Sequence, residues 1–159
     1  MQTREMVFGA LLTALAMLIP TAFQGWLAIY LPPFTATLGA HVPSMLAMFI
    51  SPLTAVLVGI GSTLGFAFTL GPLIAARAAT HIVFGLFGAN LFLRGFSPVR
   101  VLLATLPVHA LLEALIVIPF GFSLYDAGIV VGVGTAIHHS IDAVIALSIR
   151  KALSQANLL

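Results

Sequence analysis

Between Glu5 and Arg77 the chain carries no Asp, Glu, Lys or Arg. That is not the pattern of a chain folding in water, where about a quarter of the residues are charged to cover the surface. The full sequence of 159 residues repeats the point, with 61% hydrophobic and 6% charged residues. Its apolar runs are continuous and lack the alternation of outer-membrane strands, so they read as an all-α integral membrane protein. The small excess of basic residues implies no nucleic-acid partner, because those residues sit at segment ends, where they set topology. The absence of cysteine excludes thiol catalysis, disulfides and cysteine metal sites. No extramembrane stretch is long enough to fold alone. Residues 1–159 therefore read as a single transmembrane domain, and any ATP-hydrolysing domain belongs to another chain. The opening "MQTREMVFGALLTALAMLIP" has the basic start and apolar core of a signal peptide, but "TAFQGWLAIY" offers no small-x-small cleavage site, so a retained first helix is expected.

Punctuation places helices near 5–23, up to about 50, 52–70, 72–93, 98–120 and 125–152, with a long connection, "QGWLAIYLPPFTATLGAH", after the first. Pro52, Pro72 and Pro98 suit first helical turns, where a missing N–H has no helical partner in any case. Gly95 and Gly121 suit helix ends. Residues 39–70 read either as one tilted span or as two shorter ones, and the basic residues arbitrate. Arg4, the Arg94/Arg100 pair and Arg150–Lys151 share the cytoplasmic side only if even numbers of crossings separate them. A division at Ser51–Pro52 gives four crossings before Arg94 and six before Arg150, whereas a single span gives three and five. The expected topology is six transmembrane helices, both termini cytoplasmic, and a long first extracellular loop. In that loop Trp26 and Tyr30 either anchor at the interface, as aromatic belts do, or close over a cavity.

Three consecutive helices each carry a polar pair at i, i+4: Arg77 and His81, His109 and Glu113, His138 and Asp142. That spacing puts each pair on one helix face. At about 1.5 Å rise per residue, Arg77 lies roughly 8 Å below the outer start of its helix and Glu113 roughly 10 Å below its outer end, so the two can meet. His81, His109 and His138 fall near the midplane, and Asp142 towards the inner side. An ionisable side chain in hydrocarbon costs at least about 2.5–3.5 kcal/mol and so faces the bundle interior with a partner. An Arg77–Glu113 clamp among hydrogen-bonded core histidines would meet that demand. Three facing pairs point further, to a polar cavity open to the outside. Metal ligation by His109, Glu113, His138, His139 and Asp142 is disfavoured, because adjacent His138 and His139 project about 100° apart and no HExxH motif occurs. A hydrolase is disfavoured as well: Ser140 does not face its histidine neighbours, and no GxSxG motif is present. No metal, no cofactor and no catalytic residue is expected in this chain.

The first helix contains "GALLTALA", where Gly9, Ala10 and Ala14 offer the small side chains that let helices approach closely in lipid. With that stripe, the phrases "TREMVFGALLTALAMLIP", "ATLGAHVPSMLAMFISPLTAVLVGIGSTLGF", "RAATHIVFGLFGA", "HALLEALIVIPFG" and "VGVGTAIHHSIDAVIAL" resemble, across essentially the whole chain, the substrate-binding S components of energy-coupling factor (ECF) vitamin transporters. The middle phrases are most similar to the group for niacin or for pyridoxine and hydroxymethylpyrimidine. The resemblance implies a protein of the bacterial cell membrane that binds a vitamin, joins a transmembrane coupling subunit and two ATPase subunits, and topples to release its cargo inside. It implies that Gly9, Ala10 and Ala14 contact the coupling subunit. It also implies that the loop from Trp26 through Tyr30 to His41 gates a pocket lined by Arg77, His81, His109, Glu113 and His138.

A pocket with one guanidinium, one carboxylate and several imidazoles suits a small polar heteroaromatic, with aromatic side chains on its ring. A free Arg77 favours the carboxylate of niacin. An Arg77 paired with Glu113 favours a neutral hydroxylated pyridine or pyrimidine. The competing class is a stand-alone proton-coupled carrier using the same histidines and carboxylates, although no inverted repeat is visible.

Overall fold

Helix starts in this chain are written in serine and proline. Ser51 Oγ accepts from the Thr54 amide at 3.1 Å and Ser97 Oγ from the Arg100 amide at 3.5 Å, and the next residue in each case is proline. These caps satisfy amides that a helix leaves unpaired. The computed structural model describes residues 3–23, 26–31 and 34–158, with the side chains of Tyr30 and Leu31 outside that description. The order is α1 (Thr3–Ala22), a hairpin of β1 (Ala28–Leu31) and β2 (Phe34–Thr37), α2 (Val42–Met48), α3 (Pro52–Leu70), α4 (Pro72–Leu93), α5 (Pro98–Ile116) and α6 (Gly134–Gln155). A 3₁₀ turn, Ile118–Phe120, follows α5, and a π-helical segment, Asp126–Val133, leads into α6. Gly71, at φ +82°, lets α3 stop and α4 begin within one residue.

Five helical stretches are long and apolar enough to cross a bilayer, the last of them running Asp126–Gln155. The expected second transmembrane helix is not one of them. α2 has seven residues, a rise of about 10 Å against a hydrocarbon core of about 30 Å, so it cannot span alone. All seven are buried, which explains why this run is apolar at every position but Ser44 without being a lipid-facing span. The connection before it, expected as a long loop, holds an antiparallel hairpin, Ala28 opposite Thr37 and Leu31 opposite Phe34.

Contacts at one end of the bundle bring several helix ends together. Arg4 Nη2 donates to the Asn157 carbonyl at 3.0 Å, joining the start of α1 to the end of α6. The Arg150 guanidinium lies 5.2 Å from the Phe49 ring and 5.7 Å from the Phe92 ring, so α2 and α4 end on that same side. The chain thus returns from the far end of α1 to the start of α3 through the hairpin and α2 in series.

Small residues set the helix spacing. A Cβ on Gly65 would lie 2.8 Å from Met17 Cα of α1, and one on Gly59 would lie 2.8 Å from the Ile82 amide of α4. Neither obstacle is a flexible side-chain end, so backbone would have to move. Gly59→Leu is expected to lower the stability of the detergent-purified protein by about 1–3 kcal/mol or more, the range for overpacked cores, with Gly39→Leu excluded as a control because of its positive φ. A thermal unfolding curve that matches wild type would contradict this packing.

Candidate functional site

The polar groups gather where the hairpin descends into the bundle. Arg77 of α4 donates through Nε (2.9 Å) and Nη2 (2.7 Å) to Glu113 Oε2 of α5. The same oxygen accepts from Thr135 Oγ1 of α6 at 2.7 Å, while Nη1 reaches Thr35 of the hairpin at 3.3 and 3.4 Å. One ion pair therefore ties three helices and β2 together. The guanidinium also lies 5.3 Å above the Phe34 ring, a cation–π contact. Phe34 can sit there because Gly134 faces it: a Cβ on Gly134 would come within 2.9 Å of the ring. Of the two states of Arg77 left open by the sequence, the structure has the paired one.

Asp142 fastens the other end of the hairpin. Its two oxygens accept from the Gly39 amide at 2.8 Å and the His41 amide at 3.0 Å. Non-helical backbone at membrane depth needs such acceptors, since no solvent is there to supply them. His138 lies 3.0 Å from the Thr37 carbonyl through Nε2 and so holds β2 to α6. His139, one residue on, turns away: its Nδ1 faces His109 Nδ1 at 3.1 Å and its Nε2 faces the Leu102 carbonyl at 3.1 Å. The two adjacent histidines serve different partners, as the helical angle between them requires.

His41, His81 and His109 complete the cluster, with ring centroids 4.5–5.4 Å apart. His81 Nδ1 pairs with Ser62 Oγ at 2.9 Å. His41 Nδ1 lies 3.1 Å from Asp142 Oδ2 and His109 Nε2 lies 3.3 Å from Glu113 Oε1, yet neither contact has hydrogen-bond alignment. Beside the cluster is a narrow cavity bounded by Thr35 and Thr37 of the hairpin, Phe66 of α3, Arg77, His81 and His138. The space open to the centre of a water-sized sphere is about 30 Å³, which holds roughly two waters.

Six of the residues singled out in the sequence, Arg77, His81, His109, Glu113, His138 and His41, come together here. Trp26 does not: it is 88% exposed at the turn before β1 and lines no part of the cavity. The Tyr30 side chain lies outside the described residues. Sequence reasoning missed Thr35, Ser62 and Thr135, single hydroxyls with no spacing to mark them, and it missed the hairpin that brings Thr35 in. On α1, Ala10 and Ala14 are exposed in a groove against α3, whereas Gly9 is buried 3.4 Å from Thr54.

No family model matches this chain, and no solved structure matches it. The niacin transporter NiaX of Lactococcus lactis subsp. cremoris (strain MG1363) is 33% identical to it over 172 aligned residues, covering 98% of this chain and 77% of the relative. The chain belongs to the NiaX family. It is a multi-pass bacterial membrane protein of vitamin uptake, on the niacin side of the resemblance drawn from its sequence.

Removing one member of a buried ion pair strands the other, at about 3–5 kcal/mol, whereas removing both is far milder. Arg77→Met and Glu113→Gln are each expected to lower unfolding stability in detergent. The double variant is expected to lose much less than the sum of the two. Additive losses would show that the pair contributes no coupling.

Proposed function

We propose that this chain is the vitamin-binding component of an ATP-driven ECF uptake transporter and that its ligand is niacin, bound as nicotinate beneath the hairpin. The observation carrying this reading is a guanidinium on the wall of a buried cavity in a chain 33% identical to a niacin transporter. Nicotinate is a flat pyridine with one carboxylate. A fully engaged Arg77 would favour a neutral ligand, but the pairing with Glu113 uses only Nε and Nη2, and Nη1 makes only the two long contacts with Thr35. A ligand carboxylate replacing Thr35 would meet a guanidinium already oriented by Glu113 and gain charge-assisted hydrogen bonds. Phe66 in the wall and Phe34 under Arg77 offer ring faces to the pyridine. The cavity is smaller than that ring, and residues 35–37 form one side of it, so admission requires the hairpin to swing out. The hairpin is the gate in this reading.

The positive-inside rule favours the cytoplasm for the Arg4–Asn157 end, which leaves the hairpin on the outer side in this reading. Ala10 and Ala14, exposed on α1, form the docking stripe for the coupling subunit, and two partner ATPases hydrolyse the ATP.

Binding to purified protein by calorimetry tests the ligand. Nicotinate is expected to bind, and nicotinamide, which lacks the charge, to bind on the order of 100-fold more weakly, since hydrogen bonds to charged groups contribute about 1.5–3 kcal/mol. Silence towards nicotinate, with binding of pyridoxine or hydroxymethylpyrimidine, would overturn the assignment. Copurification tests the partner. Ala10→Trp with Ala14→Trp is expected to abolish association with an ECF module while nicotinate affinity stays at the wild-type value. Uptake that persists without ATP and collapses with the proton gradient would favour the carrier reading instead.

A further inference from the structure

The histidine cluster holds an electronic arrangement that hydrogen bonding among its members does not explain. The chain of partners begins at the Leu102 carbonyl. A carbonyl only accepts, so His139 Nε2, 3.1 Å away, carries the hydrogen. A neutral His139 then presents Nδ1 as a lone pair, and the His109 Nδ1 that faces it at 3.1 Å must be the donor. That leaves His109 Nε2 as a bare lone pair, buried, without a hydrogen-bond partner among the described residues and 3.3 Å from a carboxylate oxygen. Two electron-rich atoms face each other at the cluster. As the two side chains stand, they are not aligned for a hydrogen bond, so the pair is left open at its inner end.

Two further features have the same sense. With neutral imidazoles, Glu113 and Asp142 set two negative charges against the one positive charge of Arg77, all three buried. A buried excess of one negative charge calls for a cation. Two of the three histidines also have one ring nitrogen held by a second group, His81 on Ser62 and His109 on His139, while His41 Nδ1 lies 3.1 Å from Asp142 Oδ2 without hydrogen-bond alignment. Holding one imidazole nitrogen from behind so that the other points at an ion is how metal-ligating histidines are oriented.

We propose that His41, His81, His109 and Glu113 form a binding site for a divalent metal ion of the zinc class at the floor of the cavity. One donor atom from each of the four lies within 4.8 Å of every other. Tetrahedral zinc with bonds of about 2.0–2.1 Å holds its donors about 3.4 Å apart and the centroids of its imidazoles about 5 Å apart. The observed centroid separations of 4.5, 4.9 and 5.4 Å match that spacing, and the donor atoms, now within 4.8 Å of one another, would draw closer around the ion. Glu113 is suited to the fourth position because Arg77 and Thr135 occupy Oε2 and leave Oε1 turned to His109. Three imidazoles with one carboxylate favour zinc over calcium or magnesium, which prefer all-oxygen shells. The alternative group of His41, His138 and Asp142 is less suited, since both Asp142 oxygens already accept from backbone amides. The site departs from the expectation of a metal-free chain because His41 enters from non-helical backbone, where helix spacing gives no warning.

The test uses metal ions alone, with no vitamin present, so its outcome is independent of nicotinate binding. Protein purified without a histidine tag is stripped with a chelator and titrated with Co2+, then with Zn2+. One Co2+ per chain with the intense visible bands of a four-coordinate site is expected, bleached by one equivalent of Zn2+. His109→Gln is expected to weaken Co2+ binding more than about 100-fold, and Ser62→Ala by about 10–100-fold, the range for groups that orient a ligand from behind. Absence of stoichiometric Co2+, weak six-coordinate bands only, or unchanged affinity in His109→Gln would overturn the site. If His109→Gln elutes as an aggregate, His81→Gln supplies the same comparison, and the wild-type spectrum decides the coordination.

Discussion

The polar junction of three helices in this bundle depends on one oxygen. Glu113 Oε2 takes two hydrogen bonds from Arg77 and one from Thr135, and so draws α4, α5 and α6 to a common point. In a hydrocarbon surrounding there is no solvent to stand in for any of these partners, so the groups are held to one another by the absence of alternatives. With that point fixed, Arg77 Nη1 reaches across to the hairpin and the imidazoles settle in the space beneath. Cavity, hairpin and histidine cluster all meet at this satisfied pair.

Much of this was legible in the residues. Pro52, Pro72 and Pro98 marked helix starts where the helices do start, and the i, i+4 pairs told which faces would meet. Depth counted along two antiparallel helices was enough to bring Arg77 to Glu113. What could not be read was the second crossing. Residues 42–48 are as apolar as any span, because a short helix buried on all sides needs the same composition as a longer one facing lipid. The hairpin was hidden for a related reason: its pairing is local, but its aromatic and β-branched residues look the same on an interfacial loop. Trp26 illustrates the limit of reading role from residue type, for it stands outside while the plainer Phe34 lies under the guanidinium.

The histidines divide in the same way. His138 and His139 were visible as neighbours that could not share a site, and they do not: one steadies the hairpin and the other sets the hydrogen positions on His109. His41 gave no such signal, because its placement depends on Asp142 gripping two amides from a turn that follows a strand. Helix periodicity speaks only for side chains mounted on helices.

That grip has a bearing on how the protein tolerates changes in length. Connections between membrane spans are ordinarily where insertions and deletions accumulate, since slack there is harmless. Here the stretch from Thr37 to His41 is measured at both ends, by the His138 contact to the Thr37 carbonyl and by the Asp142 contacts to residues 39 and 41. One residue more or fewer would pull His41 out of the imidazole group or release the strand from α6. What passes for a loop in the sequence is a ruler, and its count matters as much as its chemistry.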